Sequence, residues 1–373
     1  MWRIAVITPI FAVLTVLYFH HFLRRACWEI GFNTNAKSVR VIMWAAAVGI
    51  AVLCCNLFEF YGVAILHLLV IAVVVDIFNI ILKRVLGKNY KHGCTAWKRL
   101  HALGVLPVCL TLCVLIGGYI NLHNIQQTDY EVLTKKNIRT QGYRVALIAD
   151  VHYGVSLDRE GLEETVQRIN AQNPDIAVLC GDISDNSTTA EQIEEVFEVF
   201  SGIKSKYGVF FVYGNHDRPY GMMKSGYDDN HLYDVLEKSG ITVLCDDTYE
   251  IGNDFTIIGR QDRRYSDRNS LEQLFKDVDK NDFIMVLDHQ PNQYAENAAA
   301  GTDLILSGHT HGGQLWPMQY VFELGKFNDA VYGHIVKGGM QAIVTSGLAG
   351  WEYPIKTASP AEYVIIDIKK DTK

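Results

Sequence analysis

A chain of 373 residues is too long for one small domain, and its formal charge of −7 conceals two parts of different character. Residues 1–122 contain 11 basic and three acidic side chains, a net charge of +8, so the remainder carries −15. Because nucleic-acid binding depends on neutralising phosphates with lysine and arginine, such an acidic remainder weighs against DNA or RNA as a partner.

The first 122 residues contain four apolar stretches, each near the ~20 residues needed to cross a bilayer core. They are residues 4–23, 39–58, 61–82 and 101–122. The first lies where a signal peptide would, but only Arg3 precedes it and no small-residue cleavage pattern follows. We therefore predict a four-helix transmembrane unit. Asp76 and His67 lie in the third stretch, where an ionisable group usually has a partner in the bundle.

Basic loop residues predict the orientation of these spans, since short cytoplasmic loops are rich in lysine and arginine. Two loops carry them: Arg24, Arg25, Lys37 and Arg40 between spans one and two, and Lys83, Arg84, Lys88, Lys91, Lys98 and Arg99 between spans three and four. Both loops are therefore expected in the cytoplasm, which places both termini and the whole C-terminal part outside it.

Beyond a polar connector at residues 123–140, short apolar runs alternate with amphipathic segments. The predicted strands are residues 143–149, 175–180, 208–213, 241–245, 255–259, 283–287, 303–307, 342–345 and 362–368. The predicted helices are residues 158–172, 190–200, 231–238 and 270–278. Because strand and helix alternate early and strands dominate later, the order favours an α/β domain over residues 141–373.

Five of these strands end in side chains that can bind metals. They are Asp150 and His152; Asp182 and Asp185; Asn215, His216 and Asp217; Asp288 and His289; and His309 and His311. Ligands of open α/β sheets bind at the carboxyl ends of the strands, so these groups should converge. Imidazole with carboxylate and amide oxygen suits Zn, Fe or Mn better than Ca. About seven ligands predict two ions sharing a carboxylate, an arrangement used in phosphoryl displacement.

Taken in order, these motifs resemble the calcineurin-like metallophosphoesterase family. The motifs are D-x-H at 150–152, G-D-x-x-D at 181–185, G-N-H-D at 214–217, a single His289 and G-H-x-H at 308–311. GHTHGGQ at 308–314 and SGLAG at 346–350 are most similar to the membrane-associated branch of bacterial cell-envelope phosphoesterases. The resemblance implies a two-sheet β-sandwich flanked by helices, in a protein of a bacterial cell membrane.

The resemblance also implies site roles and two divalent ions, Mn, Zn or Fe. One ion would be held by Asp150, His152, Asp182 and His311, and the other by Asp182, Asn215, His289 and His309, with Asp182 as the bridge. A hydroxide between the ions would attack phosphorus, and His216 would donate a proton to the leaving group. Asp185 and Asp217 are expected to orient histidines.

The expected function is that of a membrane-anchored, two-metal phosphohydrolase acting on a phosphodiester, pyrophosphate or phosphomonoester, in a phosphorylated small molecule or a lipid-linked substrate. One alternative is a UDP-diacylglucosamine-type lipid-precursor pyrophosphohydrolase, whose cytoplasmic substrate the loop charges oppose. Another is a catalytically silent metal-binding sensor domain, although the sequence lacks none of the ligands. The loop arginines are either grips for a second phosphate or solvated charges: Arg218, Arg260, Arg263 and Arg264. The oligomeric state stays open.

Overall fold

The computed structural model describes residues 2–56, 59–185, 187–218 and 226–372. The chain divides into two compact units, Met1–Gly117 and Gly118–Lys373. This division falls after Gly117 rather than after residue 122. Leu57 and Phe58, the last residues of the expected second span, lie outside the described residues.

The N-terminal unit is helical, and its last helix continues into the second unit. The helices are α1 (Trp2–Glu29), α2 (Lys37–Cys54), α3 (Phe60–Leu86), α4 (Lys88–Gly93), α5 (Thr95–Leu103) and α6 (Val105–Leu122). By length and composition, three of these described helices can cross a membrane: α2, α3 and α6. The first expected span, residues 4–23, falls within α1, outside this set, so the count of four stays a prediction. The fourth is split because Gly104 adopts a left-handed conformation (φ 71°) between α5 and α6.

Asp76 of α3 is paired within the N-terminal unit, as expected of a carboxylate among apolar helices. Its Oδ2 accepts a hydrogen bond from the Tyr18 hydroxyl at 2.7 Å. Its Oδ1 lies 2.5 Å from Arg25 Nη1 and 2.7 Å from His101 Nε2. His67 Nδ1 lies 2.8 Å from Val63 O, one turn back on its own helix. These contacts confirm that both ionisable groups have partners.

Two mixed six-stranded sheets form the C-terminal unit. The strands are β1 (Gln126–Thr134), β2 (Tyr143–Ile148), β3 (Ile176–Cys180), β4 (Val209–Val212), β5 (Thr242–Val243), β6 (Asp247–Ile251), β7 (Phe255–Gly259), β8 (Phe283–Leu287), β9 (Leu304–Ser307), β10 (Gly333–Lys337), β11 (Met340–Val344) and β12 (Glu362–Lys370). The first sheet has the order β1-β12-β2-β3-β4-β5 and the second β10-β11-β9-β8-β7-β6. Side chains of both sheets, such as Leu147, Phe210 and Met285, share one buried cluster. This sandwich confirms the expected α/β class.

Helices cover the outer faces of the two sheets. They are α7 (Arg159–Ala171), α8 (Ala190–Ser201), α9 (Asp229–Lys238), α10 (Leu271–Leu274) and α11 (Tyr294–Ala300). A 3-10 turn (His311–Gly313) and α12 (Met318–Gly325), which has no buried side chain, follow β9. Leu162 of α7 and Phe197 of α8 pack with Leu179 of β3 because the apolar stripe of each helix faces the sheet. α8 begins at a capping box in which Thr189 and Gln192 each accept a hydrogen bond from the other's backbone N–H.

The structure differs from the sequence expectation at the edges of both sheets. Residues 126–134, inside the segment expected to be a connector, form β1, which pairs in parallel with β12 from Gln126 opposite Glu362 onward. β6 and β10 are edge strands as well. All three carry polar side chains on an exposed face, so none shows the apolar run that marks a buried strand. Helix α10 is shorter than the expected 270–278.

Candidate metal centre

The predicted metal ligands converge where five strands end. The ends of β2, β3 and β4, which run parallel in the first sheet, are followed by Asp150, Asp182 and Asn215. The ends of β8 and β9, parallel in the second sheet, are followed by His289 and His309. Because parallel strands place their carboxyl ends on one edge of a sheet, these residues share a crevice.

A first group consists of Asp150, His152 and His311, whose possible ligand atoms all lie within 4.8 Å of one another. His311 Nε2 is 3.6 Å from Asp150 Oδ1 and 3.2 Å from His152 Nε2. Burial lowers the pKa of His152 to about 4 and that of His311 well below its usual value. Both imidazoles are therefore neutral near pH 7, which is the form that binds a metal.

A second group consists of Asp182, His289 and His309. His289 Nε2 lies 3.0 Å from Asp182 Oδ2, and its Nδ1 lies 2.8 Å from the Cys180 carbonyl oxygen. Burial lowers the pKa of His289 but the Asp182 carboxylate raises it more, and the net shift is well above the usual value. Burial lowers the pKa of His309 to about 3. The carbonyl contact fixes the His289 ring with Nε2 toward the carboxylate.

Asp182 lies between the two groups. Its Oδ2, besides the contact with His289, is 3.8 Å from His152 Nε2 of the first group. Its Oδ1 accepts a hydrogen bond from the His216 backbone N–H at 2.8 Å. One oxygen of this buried carboxylate is therefore within reach of both groups.

Asn215 supplies a test of whether ions fit here. Its side chain is buried, and its Oδ1 accepts no hydrogen bond from any residue that the structure describes. A buried amide oxygen without a donor carries the full cost of its desolvation. The next residue in the chain, His216, donates its backbone N–H to Asp182 Oδ1, so a divalent cation at Asp182 would match both this amide oxygen and the donor set.

The backbone of the site is held in an uncommon conformation. Five predicted ligands have positive φ angles between 40° and 70°: Asp150, His152, Asp182, His309 and His311. Left-handed backbone costs free energy at a non-glycine residue, and such strain concentrates at functional sites. The surrounding contacts therefore hold these residues against their local preference.

Glycines allow close approach at two points of the site. A Cβ atom on Gly308 would lie 2.4 Å from Asp150 Oδ2. One on Gly214 would lie 2.1 Å from Asp182 Oδ1. Neither distance leaves room for a Cβ atom, so the positions of both carboxylates require glycine beside them.

His216 and Asp185 lie together at the side of the first group. His216 Nδ1 is 3.4 Å from Asp185 Oδ1, and Asp185 Oδ2 is 3.8 Å from His152 Nδ1. Burial lowers the pKa of His216, but the nearby Asp185 and Asp182 carboxylates raise it by more, so the net shift of the pKa is upward. Asp185 therefore lies near two histidines, and its role in orienting them stays a prediction.

Asp217 has a different position from the expected one. Its carboxylate accepts hydrogen bonds from the backbone N–H groups of Asp182, Ile183, Ser184 and Gly214 at 2.7–3.1 Å. Among the described residues, no histidine side chain hydrogen-bonds to this carboxylate. It ties the turn after β3 to the turn after β4, because four converging N–H groups need an anionic acceptor.

Two of the four loop arginines make contacts within the protein. Arg260 is buried and donates to Gln293 Oε1 at 2.9 Å, with Asp288 Oδ2 at 3.4 Å. The Arg218 guanidinium carbon lies 3.6 Å from the centre of the Tyr213 ring. Arg263 is exposed. Packing thus engages two of the four candidates for a phosphate grip in contacts within the protein.

Two further neighbours of the site were absent from the sequence interpretation. The Trp351 ring lies 5.7 Å from the His216 ring, measured between centroids. Arg268 pairs with Asp288, the residue before His289. The SGLAG motif at 346–350 pointed to this region, and the Ala349 carbonyl oxygen lies 3.4 Å from His311 Nδ1.

Residues 143–313 match the family model described as calcineurin-like phosphoesterase. An uncharacterized metallophosphoesterase of Campylobacter jejuni is 26% identical over 260 residues, covering 68% of this chain and 65% of that protein. One of Aquifex aeolicus is 29% identical over 266 residues, covering 69% and 98%. A Danio rerio transmembrane protein with metallophosphoesterase domain is 26% identical over 283 residues, covering 71% and 62%. The chain therefore spans just under two thirds of the first and third of these relatives.

Proposed function

Residues 143–313 belong to the calcineurin-like phosphoesterase family, as their motifs predicted, and we therefore propose that this chain hydrolyses phosphate esters with the aid of two divalent metal ions. The observation that carries the proposal is the position of Asp182 Oδ2, 3.0 Å from His289 Nε2 and 3.8 Å from His152 Nε2. A carboxylate oxygen within reach of both groups could serve two cations at once.

The ligand assignment follows the two groups. One ion would be held by Asp150, His152 and His311 and the other by Asn215, His289 and His309, with Asp182 serving both. Nitrogen and oxygen ligands of these types suit Mn, Zn or Fe. When bound, they supply Lewis acidity that polarises a phosphoryl oxygen and lowers the pKa of water.

His216 is the proposed proton donor to the leaving oxygen. Its Nδ1 faces Asp185, so Nε2 is the nitrogen available to a substrate. The upward pKa shift keeps more of the protonated form near neutral pH, which is what a general acid needs. Asp185 holds the ring, and Asp217 acts as a positioning residue on the backbone beneath it.

The proposal includes a location. Three apolar helices precede or enter the C-terminal unit, and one relative is named as a transmembrane protein. The basic loops between spans one and two and between spans three and four support a multi-pass protein whose catalytic unit lies outside the cytoplasm. Its substrate would then be a phosphate ester or pyrophosphate, free or lipid-linked, at that membrane surface.

The test uses the full-length chain in detergent, stripped of metal and then supplied with Mn²⁺, Zn²⁺ or Fe²⁺. Hydrolysis of bis-p-nitrophenyl phosphate and of p-nitrophenyl phosphate is measured for the parent, Asp182→Asn and Asp277→Asn. Asp277 is exposed and distant in sequence from every predicted ligand, so its variant is the matched control. We expect metal-dependent activity that only Asp182→Asn loses. Two bound metals without hydrolysis of either ester would favour the silent sensor domain instead.

A further inference from the structure

The last turn of α6 makes hydrogen bonds to a loop near the C-terminal end of the chain. Asn121 Nδ2 donates to the carbonyl oxygens of Lys356 and Ser359, at 2.8 and 2.7 Å. The Lys356 N–H donates to the Gly118 carbonyl oxygen at 3.1 Å. All of these residues belong to the C-terminal unit. The helix end is therefore bonded to the loop at residues 356–359 at three points.

That loop in turn holds the turn of a predicted ligand. Ser359 Oγ donates to the His311 carbonyl oxygen at 2.7 Å. The N–H groups of Thr357 and Ala358 donate to the Gln314 carbonyl oxygen at 2.8 and 3.0 Å. The loop thus binds both ends of the turn 311–314, which His311 begins.

The position of His311 depends on contacts with residues outside its own turn. Its φ of 50° is a left-handed conformation that the residue does not favour by itself. Gly312 is packed so closely that a Cβ atom on it would lie 2.6 Å from Ser359 Cβ. The loop at 356–359 therefore helps to hold the backbone from which the His311 imidazole projects.

His123, in the same stretch of chain, shows what a residue without this role does. Its Nδ1 lies 2.8 Å from the Tyr119 carbonyl oxygen, so it bonds within its own helix turn. The Asn121 side-chain amide instead donates hydrogen bonds to carbonyl oxygens 235 and 238 residues away in sequence.

We propose that Asn121 is a positioning residue for the metal ion of the His311 group, acting through Ser359. The end of an apolar helix then forms part of the support of the metal centre. This inference rests on the proposed function, because it takes His311 to be a ligand. It gives α6 a role in the site beyond attachment to a membrane.

The experiment measures Mn²⁺ binding to the full-length chain in detergent by equilibrium dialysis, which requires no activity. We expect Asn121→Ala to lower the affinity for one of the two Mn²⁺ ions by about 10-fold, as the loss of a supporting hydrogen bond does at other metal sites. His311→Ala should affect the same ion. Asn124→Ala is the matched control, because Asn124 is exposed and its side chain makes no hydrogen bond to another described residue.

Ser359→Ala is the second variant, since it breaks the same path at its other end. If both residues act on one path, the double variant should lower the affinity for that ion by less than the two single variants do together. Additive effects, equal loss of both ions, or unchanged affinity in Asn121→Ala would each overturn the inference. A parent chain that binds none of Mn²⁺, Zn²⁺ and Fe²⁺ in the same dialysis would overturn the proposed function, and this inference with it.

Discussion

His289 Nε2 lies 3.0 Å from Asp182 Oδ2, in a setting where both side chains are excluded from solvent. The carboxylate raises the pKa of the imidazole, and histidine charges lower the pKa of the carboxyl against the effect of burial. A cation placed at this pair satisfies the same electrostatic demand as the proton does.

Metal binding should stabilise the fold. Burial raises the pKa of Asp150 to about 7, and the negative charge of Asp182 contributes to the rise. An ion present at 100 times its dissociation constant adds about 2.7 kcal/mol to the free energy of unfolding. Thermal unfolding should therefore shift upward with Mn²⁺ and downward with EDTA. A shift of equal size in Asp182→Asn would contradict this origin.

His216→Ala should reduce kcat by about 10²–10⁴-fold, the usual contribution of a general acid. The loss should be larger for an alkyl phosphate than for a nitrophenyl phosphate, since nitrophenolate leaves without a proton. The number of bound Mn²⁺ ions should not change, because His216 is not among the proposed ligands. Equal losses on both substrates would assign His216 another role.

Asp217→Ala should destabilise the C-terminal unit by at least ~3 kcal/mol, because several buried N–H groups lose an anionic acceptor. Those groups belong to the turns after β3 and β4, so the metal site should suffer as well. Thermal unfolding of the metal-free chain isolates the effect on stability. Asp277→Ala, at an exposed position, serves as control and should leave the transition unchanged.

Gly308→Ala should lower metal affinity with little change in the length of any helix or strand. The added methyl would lie 2.4 Å from Asp150 Oδ2, so the carboxylate must move. Gly93→Ala is a suitable comparison, since a Cβ there meets no atom within 4 Å. Dialysis against Mn²⁺ measures both variants. Parent-like affinity in Gly308→Ala would mean that Asp150 tolerates displacement and is not a tightly held ligand.

Much of the fold could be predicted from the sequence, because the central strands are buried on both faces and read as continuous apolar runs, as in IAVLC of β3. The edge strands could not. β1 has the sequence QQTDYEVLT and becomes a strand by pairing with β12, which lies more than 200 residues further along the chain. Pairing at that distance leaves no local signal.

The candidate site divides in the same way. The sequence by itself determined which residues end the central strands, and hence the candidate ligands, because a motif such as G-H-x-H is contiguous. Only the tertiary structure decided that Asp217 binds backbone N–H groups, that Arg260 is buried against Asp288, and that Asn121 reaches Ser359. The physical reason is that a hydrogen bond depends on distances of about 3 Å between atoms. Residues far apart in the chain reach such distances only after the sheets have packed.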